Sequence, residues 1–294
     1  MPDSSPDSRL FQSHPRTFAA GRHVYPVLSR RAGGISIGVN LNLDRRCNFN
    51  CVYCQVDRST PANTAPIDLE QLAAELDQMV ELVVSGRIFD GPQFRDTPAA
   101  LRRLNDIALS GDGEPTLSAN FEQAVERCAE VRRRHGLDNV KIVLITNATA
   151  LDHPRVRKAL ATLDRNGGEI WAKLDAGTED YYRLVDRSTV PWQRILDNLR
   201  AAATARPIVI QSLFMRIRQE APPAAELDAY CARLQEIVAA GGQIKLVQIH
   251  TIARRPAEPW VAPLSNAEID AIANLVRHRT GLSTAAFHGA AEFT

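Results

Sequence analysis

The chain has 294 residues, is 45% hydrophobic and carries a formal net charge of +1. That balance suits one large globular domain, or one barrel with a short extension, and lacks the basic excess that marks a nucleic-acid binder. No run of eighteen apolar residues occurs, the opening MPDSSPDS has no apolar core, and the cysteines number five, three of them clustered. A membrane span, a secretory signal and a disulfide framework are therefore not expected, and the cytoplasm is the expected compartment.

Taken in chain order, residues 1–13 read as a flexible polar leader and residues 14–34 as an irregular arm rich in Arg and His. From Ile35 an alternation begins, with Ile35, Ile37, Val39, Leu41 and Leu43 on one side, which predicts a strand over 35–43. A helix follows over 69–84, with Leu69, Leu72, Leu76, Met79, Val80 and Val83 on one face. The same unit then recurs. Strands are predicted over 106–109, 140–145, 169–174, 208–214 and 244–249. Helices are predicted over 120–135, 154–163, 191–203, 224–239 and 266–277, the last opened by Ser265 and Glu268 in capping-box spacing. Between the first helix and the second strand, Gly86–Ala100 reads as a mobile loop.

Six strands alternating with helices require right-handed parallel crossovers. The fold class expected is α/β, an incomplete (β/α)6 TIM-like barrel over 35–294 preceded by the irregular arm. Such a barrel holds its site at the C-terminal ends of the strands.

The run CNFNCVYC, residues 47–54, follows the first strand directly. Cys47, Cys51 and Cys54 lie close enough on one loop to hold three corners of a cubane iron–sulfur cluster. Closed clusters and structural zinc sites take four protein ligands, so three leave one metal corner open to a small molecule. A zinc site completed by a distant His, or three unrelated thiols, are the other readings of the same residues.

If that loop is functional, unusual polar residues should sit just after the other strands, and they do. The second strand leads into SGDGEPT, which places Glu114 between Gly113 and Pro115. Glycine permits close backbone approach and proline limits the loop, so exposed backbone and a carboxylate suit an ammonium ligand. Thr146, Asn147 and Thr149 follow the third strand. After the fourth, Lys173 and Asp175 are two residues apart and point the same way in extended chain. They suit a nucleoside amino acid, or else an internal ion pair at the barrel rim. Gln211, Ser212 and His250 are weaker candidates, and Arg254 or Arg255 either meets an anion or is solvated.

In the order of these motifs the chain resembles radical S-adenosylmethionine enzymes, over about residues 35–250. Within that superfamily, Leu109–Leu117, Trp171–Gly177 and Gln248–Glu258 look most like the branch related to wyosine-base synthases. The resemblance implies an incomplete barrel of six β–α units with a 4Fe–4S cluster at its mouth. It implies Cys47, Cys51 and Cys54 as cluster ligands, with S-adenosylmethionine chelating the fourth iron. Gly113 and Glu114 would then receive the methionine amino group, Tyr53 would lie beside the adenine, and Asn147, Lys173 and Asp175 would contact ribose and carboxylate. The implied chemistry is reductive cleavage to methionine and a 5′-deoxyadenosyl radical, which takes hydrogen from a substrate. An electron donor such as flavodoxin or ferredoxin is the implied partner.

No second cysteine cluster accompanies the first, so an auxiliary cluster is not expected. Cys128 falls on an apolar stripe with Phe121, Ala124 and Val125, and Cys231 on one with Leu227, Leu234 and Val238. Both read as core. Three functions are compatible with the sequence: a radical enzyme acting on a small molecule or peptide, an activase that makes a glycyl radical on a partner protein, and a non-catalytic iron–sulfur or zinc protein.

Overall fold

The structure is a computed structural model and describes residues 18, 21–58 and 65–289. The expected leader, residues 1–13, lies outside the described residues. Two compact units divide the chain. The first comprises the described residues up to Arg46 with 65–145 and 154–169; the second comprises 47–58, 146–153 and 170–289.

In the first unit, strand β1 (Val24–Ser29) runs antiparallel to β2 (Gly34–Val39). Parallel strands β3 (Leu104–Leu109) and β4 (Lys141–Thr146) continue the order β1-β2-β3-β4. Helices α1 (Leu69–Val84), α2 (Phe121–Arg134) and α3 (Pro154–Arg165) each follow a parallel strand. The strand β1 lies inside the stretch expected to be irregular. It is ordered by long-range partners that local composition does not reveal: the Glu75 carboxylate on α1 accepts the backbone N–H groups of Arg22, His23 and Val24 at 2.8–3.1 Å. A Cβ on Gly38 would sit 2.3 Å from the Tyr25 ring, so glycine makes room for a tyrosine that is 1% exposed.

All six residues of β2 are buried, as expected of a parallel strand covered on both faces. The strand ends at Val39 rather than at the expected Leu43. The segment 86–100, expected to be mobile, instead folds as two short 3-10 turns and buries Ile88, Phe89 and Phe94.

In the second unit, parallel strands run in the order β5 (Gly168–Lys173), β6 (Ile208–Leu213), β8 (Ile244–His250) and β10 (Thr284–Phe287). Helices α4 (Glu179–Val185) and α5 (Trp192–Ala205) follow β5, α6 (Ala224–Ala239) precedes β8, and α7 (Asn266–Thr280) precedes β10. A two-stranded ribbon pairs β7 (Met215–Ile217) with β9 (Val261–Pro263). Ser265 and Glu268 form the capping box expected for α7. The fold is α/β with six β–α units, the incomplete (β/α)6 class. Short α4, the ribbon and β10 add to the predicted elements.

Cys128 is fully buried with Phe121, Ala124 and Val125. Cys231 is buried beside Leu234, but Val238 on the expected stripe is 43% exposed. The buried face of α6 runs instead through Glu226, Tyr230, Cys231, Leu234 and Ile237, a stripe rotated by part of a turn.

Buried Asp106 on β3 accepts a 2.5 Å hydrogen bond from Ser36 Oγ. Burial pushes its carboxyl up to about 6, with the Ser36 bond and the charges of Arg31 and Lys141 acting against it. The folded state therefore holds this proton more tightly than the unfolded chain. Stability from this group is full below about pH 4 and is lost as pH rises through about 6. Asp106→Asn should raise stability near pH 8 by about 1–3 kcal/mol and by much less near pH 5. Urea denaturation at the two pH values checks this, and an Asn variant that is weaker at pH 8 would contradict it.

Candidate functional site

The cysteine loop belongs to the second unit and is fixed there from several sides. Backbone N–H groups of Asn50 and Val52 donate to the carbonyls of Asp186 and Val185 at 2.9 Å each, so the loop lies along the C-terminal end of α4. Ser188 Oγ donates to the Asn48 carbonyl at 2.7 Å. From the turn after β4, Asn147 Nδ2 donates to Asn48 Oδ1 at 2.7 Å, while Asn48 Nδ2 donates to Thr149 Oγ1 at 2.8 Å. Val52 is fully buried in an apolar cluster with Val185, Met215, Ile252 and Val261, against which Tyr53 packs. The turn that carries Asn147 includes Ala148 at φ +64°, a left-handed conformation unusual without glycine. Asn198 Nδ2 holds the Ala148 carbonyl at 2.8 Å.

Cys51 is buried and the other two cysteines of the loop are partly exposed. Each sulfur has a nitrogen donor beside it. The Phe49 backbone N–H donates to Cys47 Sγ at 3.4 Å, Lys173 Nζ to Cys51 Sγ at 3.3 Å and Arg58 Nη1 to Cys54 Sγ at 3.3 Å. Asn147 Nδ2 is a longer 3.9 Å from Cys47 Sγ. Around a bound metal such donors orient and tune the sulfur ligands; in the metal-free chain burial outweighs the charge of Lys173 and holds the Cys51 thiol well above its ordinary range. Among the described residues no three His, Cys, Asp or Glu side chains converge on one ion. A cubane would bind each thiolate through a separate iron. The donor set fits a cluster.

Lys173, at the end of β5, is the hub of the polar groups here. Its ammonium lies 3.1 Å from Asp175 Oδ2 and 3.6 Å from Asp186 Oδ1, donates to the Tyr53 hydroxyl, and sits over the Phe49 and Tyr53 rings. Burial by itself would lower its pKa, but the charges of Asp175, Cys51, Tyr53 and Asp186 more than reverse this, and the ammonium is held well above its ordinary range. Asp175 is fully engaged: Oδ1 accepts the Leu213 backbone N–H at 2.8 Å and Oδ2 accepts the Tyr53 hydroxyl. Lys173 and Asp175 point the same way as expected, and in this structure they pair with each other.

Asp186 is the residue that the sequence motifs miss. It receives the Cys51 thiol at 3.3 Å, and burial pushes its carboxyl up to about 7 against the pull of Lys173. A partial signal exists upstream: Thr178 caps the first turn of α4, followed by Glu179 and Asp180, an N-terminus signature for the helix whose C-terminal end carries Asp186. Arg254, after β8, donates to Gln55 Oε1 at 3.0 Å, while Arg255 is exposed. His250 is buried at the end of β8.

Gly113 and Glu114 belong to the first unit. The Glu114 backbone N–H donates to the carbonyl of Arg46, the residue before Cys47 in the chain, at 3.0 Å. A Cβ on Gly113 would lie 2.1 Å from that carbonyl oxygen and 2.7 Å from Asn42 Cβ, so only glycine fits. Glu114 Oε1 turns back on its own loop and accepts from the Thr116 N–H and hydroxyl at 3.2 and 2.5 Å. Beside Gly113, Asn42 Oδ1 is buried with no hydrogen-bond partner among the described residues. A cradle closed to any side chain, with an orphaned acceptor at its edge, fits an ammonium-bearing ligand.

The family profile described as the Radical SAM superfamily matches residues 41–220, well over half of the chain. The chain belongs to the radical SAM superfamily. It is an enzyme of a superfamily that uses S-adenosylmethionine, typically with a 4Fe–4S cluster. Among curated relatives, a UPF0026 protein of Synechocystis is 29% identical over 55% of this chain and 51% of its own length. A UPF0026 protein of Methanocaldococcus jannaschii is 26% identical over 55% of this chain and 43% of its own. The GTPase Obg of Brachyspira hyodysenteriae is 23% identical over 55% of this chain but only 20% of its own. The chain thus spans about half or less of these relatives, and it carries no GxxxxGK[ST] phosphate loop. The structure of TYW1 with a lysine–pyruvate adduct bound has a similar fold, with a TM-score of 0.50 and 17% identity over 84% of this chain and 74% of that one.

Lys173 offers a test of this geometry. Removing one partner from a buried ion network leaves uncompensated charge, at about 3–5 kcal/mol. Lys173→Met should therefore lower the free energy of unfolding by about that much, whereas exposed Arg255→Met should change it by less than about 0.5 kcal/mol. Chemical denaturation compares them, and equal effects would mean that the Lys173 network does not hold the loop.

Proposed function

We propose that Cys47, Cys51 and Cys54 hold a 4Fe–4S cluster whose fourth iron takes S-adenosylmethionine, and that the substrate is a small molecule or a peptide. The observation that carries this reading is the cysteine loop itself: three sulfurs within eight residues, each with a nitrogen donor beside it. Bound together, the cluster and S-adenosylmethionine supply reductive cleavage to methionine and a 5′-deoxyadenosyl radical that abstracts hydrogen from substrate.

The chain's own residues position and enclose. Gly113, Glu114 and the free acceptor on Asn42 would receive the methionine amino group. Tyr53 would lie beside the adenine, and Asn147, Lys173 and Asp175 would contact ribose and carboxylate. Lys173 and Asp175 now satisfy each other, so ligand contacts must be added to that pair or exchanged for it. The apolar cluster under Val52 and Tyr53 excludes water from that side of the loop. A one-electron donor such as flavodoxin or ferredoxin would supply the reducing equivalent. No helix among the described residues is long and apolar enough to cross a membrane. Membership of an enzyme superfamily sets aside the non-catalytic reading. The activase reading differs in requiring a partner protein for turnover.

Protein reconstituted anaerobically should bind about four irons and four sulfides. Cys47→Ala, Cys51→Ala or Cys54→Ala should each abolish this, while Cys128→Ala and Cys231→Ala should leave it intact. Iron loss on changing Cys128 or Cys231 would revive an auxiliary site. With dithionite and S-adenosylmethionine the loaded protein should release 5′-deoxyadenosine, and a loaded protein that releases none would refute the proposal.

Affinity is the second check. A hydrogen bond to a charged group is worth about 1.5–3 kcal/mol, or one to two decades in dissociation constant. Glu114→Gln and Asp175→Asn should weaken S-adenosylmethionine binding by about that factor at unchanged iron content. Unchanged binding in both variants would place the ligand elsewhere.

A further inference from the structure

The segment after β8 runs along the cysteine loop. Its Glu258 N–H donates to the Val52 carbonyl at 3.3 Å, and Arg254 Nη1 donates to Gln55 Oε1 at 3.0 Å. Trp260 packs against the apolar cluster that contains Val52, the residue directly after Cys51. Trp260 and the sulfur-bearing loop thus meet through one layer of apolar side chains. In the same segment Arg255, Ala257 and Pro259 are exposed, and Trp260 is partly exposed.

Two guanidiniums lie over the Trp260 ring, those of Arg187 and Arg218, at 5.5 and 6.0 Å from its centroid. Arg187 follows α4 and pairs with Glu258 at 2.6 Å. Arg218 follows β7, and its backbone N–H donates to the Trp260 carbonyl at 2.8 Å. Arg218 and Arg255 are exposed and have no ion pair among the described residues.

The backbone under the two arginines is unusual. Five of the described non-glycine residues have positive φ, and three of them belong here: Arg187 at +47°, Arg218 at +52° and Gln219 at +75°. Left-handed backbone favours glycine, and any residue with a Cβ costs free energy there. Glycine would make both turns with less strain, so what arginine adds is its side chain. A cation–π contact with a partly exposed ring offsets only part of that cost. Strain kept at two arginines beside one ring points to a role for the guanidiniums outside the chain.

We propose that the face centred on Arg187, Arg218 and Trp260, with Arg255 in the adjoining segment, docks an acidic one-electron carrier protein of the flavodoxin or ferredoxin type. The assignment rests on the cluster reading above and names where its reductant binds. One electron leaves the carrier and enters the cluster, and no bond forms or breaks. Electron tunnelling falls off steeply with distance, so a carrier must dock close to the sulfurs, and Trp260 backs onto the Val52 layer. Tryptophan and arginine dominate docking energies, and electron-transfer contacts are small, which suits a patch around one ring. Nucleic acid fits less well. A phosphate backbone calls for several uncompensated cations, whereas Glu258 and Glu220 share these segments and the whole chain carries only +1.

The test uses anaerobically cluster-loaded protein and follows growth of the reduced-cluster signal by electron paramagnetic resonance in rapidly frozen samples. Electrons come either from flavodoxin, kept reduced by its reductase and NADPH, or from photoreduced 5-deazariboflavin, which needs no docking. At low salt, Arg218→Glu combined with Arg255→Glu should slow reduction by flavodoxin about tenfold or more, the scale of electrostatic steering. Reduction by deazariboflavin should be unchanged. High salt should slow the unaltered protein toward the variant and leave the variant nearly as it was. Arg218→Gly, which removes the guanidinium and relaxes the backbone, should also slow flavodoxin without lowering the melting temperature. Equal flavodoxin-driven rates in the unaltered and charge-reversed proteins overturn the assignment, as does equal slowing with both reductants. Binding of a short RNA that the charge reversal abolishes, with flavodoxin-driven reduction untouched, would give the face to nucleic acid. A chain that takes up no cluster, or a cluster that neither reductant reduces, would defeat the proposed function itself and the docking assignment with it.

Discussion

A single, largely but not fully buried ammonium organises the second unit. Lys173 Nζ is within 3.6 Å of Cys51 Sγ, Asp175 and Asp186 and also reaches the Tyr53 hydroxyl. Those four residues come from three chain segments: the cysteine loop, the end of β5 and the end of α4. An unpaired ammonium buried there would be prohibitively costly, so the carboxylates and the sulfur must be in place for it to remain charged. The same constraint ties the cysteine loop to a sheet, because moving the loop strands the charge. Asp186 adds a backbone element, since its carbonyl and that of Val185 also fasten Asn50 and Val52.

The first unit solves a different problem, close approach to backbone. Gly113 is compressed against Arg46 and Asn42, and Glu114 is folded into its own 3-10 turn. The carboxylate is held rigid by Thr116, which is the condition for meeting a ligand without reorganising.

Much of this was readable in sequence because the signals are local. The periodicity over 69–84 coincides with α1, Ser265 and Glu268 cap α7 as a pair, and three thiols in eight residues need no tertiary information to be grouped. What was hidden depends on non-local register. The strand β1 forms because Glu75, some fifty residues away, collects three backbone N–H groups. Asp186 matters because seven-residue α4 ends against the cysteine loop, and so short a helix shows no hydrophobic period. Ile237 rather than Val238 is buried because packing, not spacing, chooses between adjacent positions on a helix face. Gln211 and Gln248 are thirty-seven positions apart in sequence and become neighbours only through the β6–β8 ladder.

The central claim is an iron–sulfur cluster with one corner open to S-adenosylmethionine. Electron paramagnetic resonance of the reduced, reconstituted protein, recorded before and after adding S-adenosylmethionine, tests it most directly. The account predicts the signal of a reduced 4Fe–4S cluster whose shape changes when the ligand binds the open iron. A cluster signal that S-adenosylmethionine leaves unaltered, or a protein that retains one zinc and no iron, would contradict it.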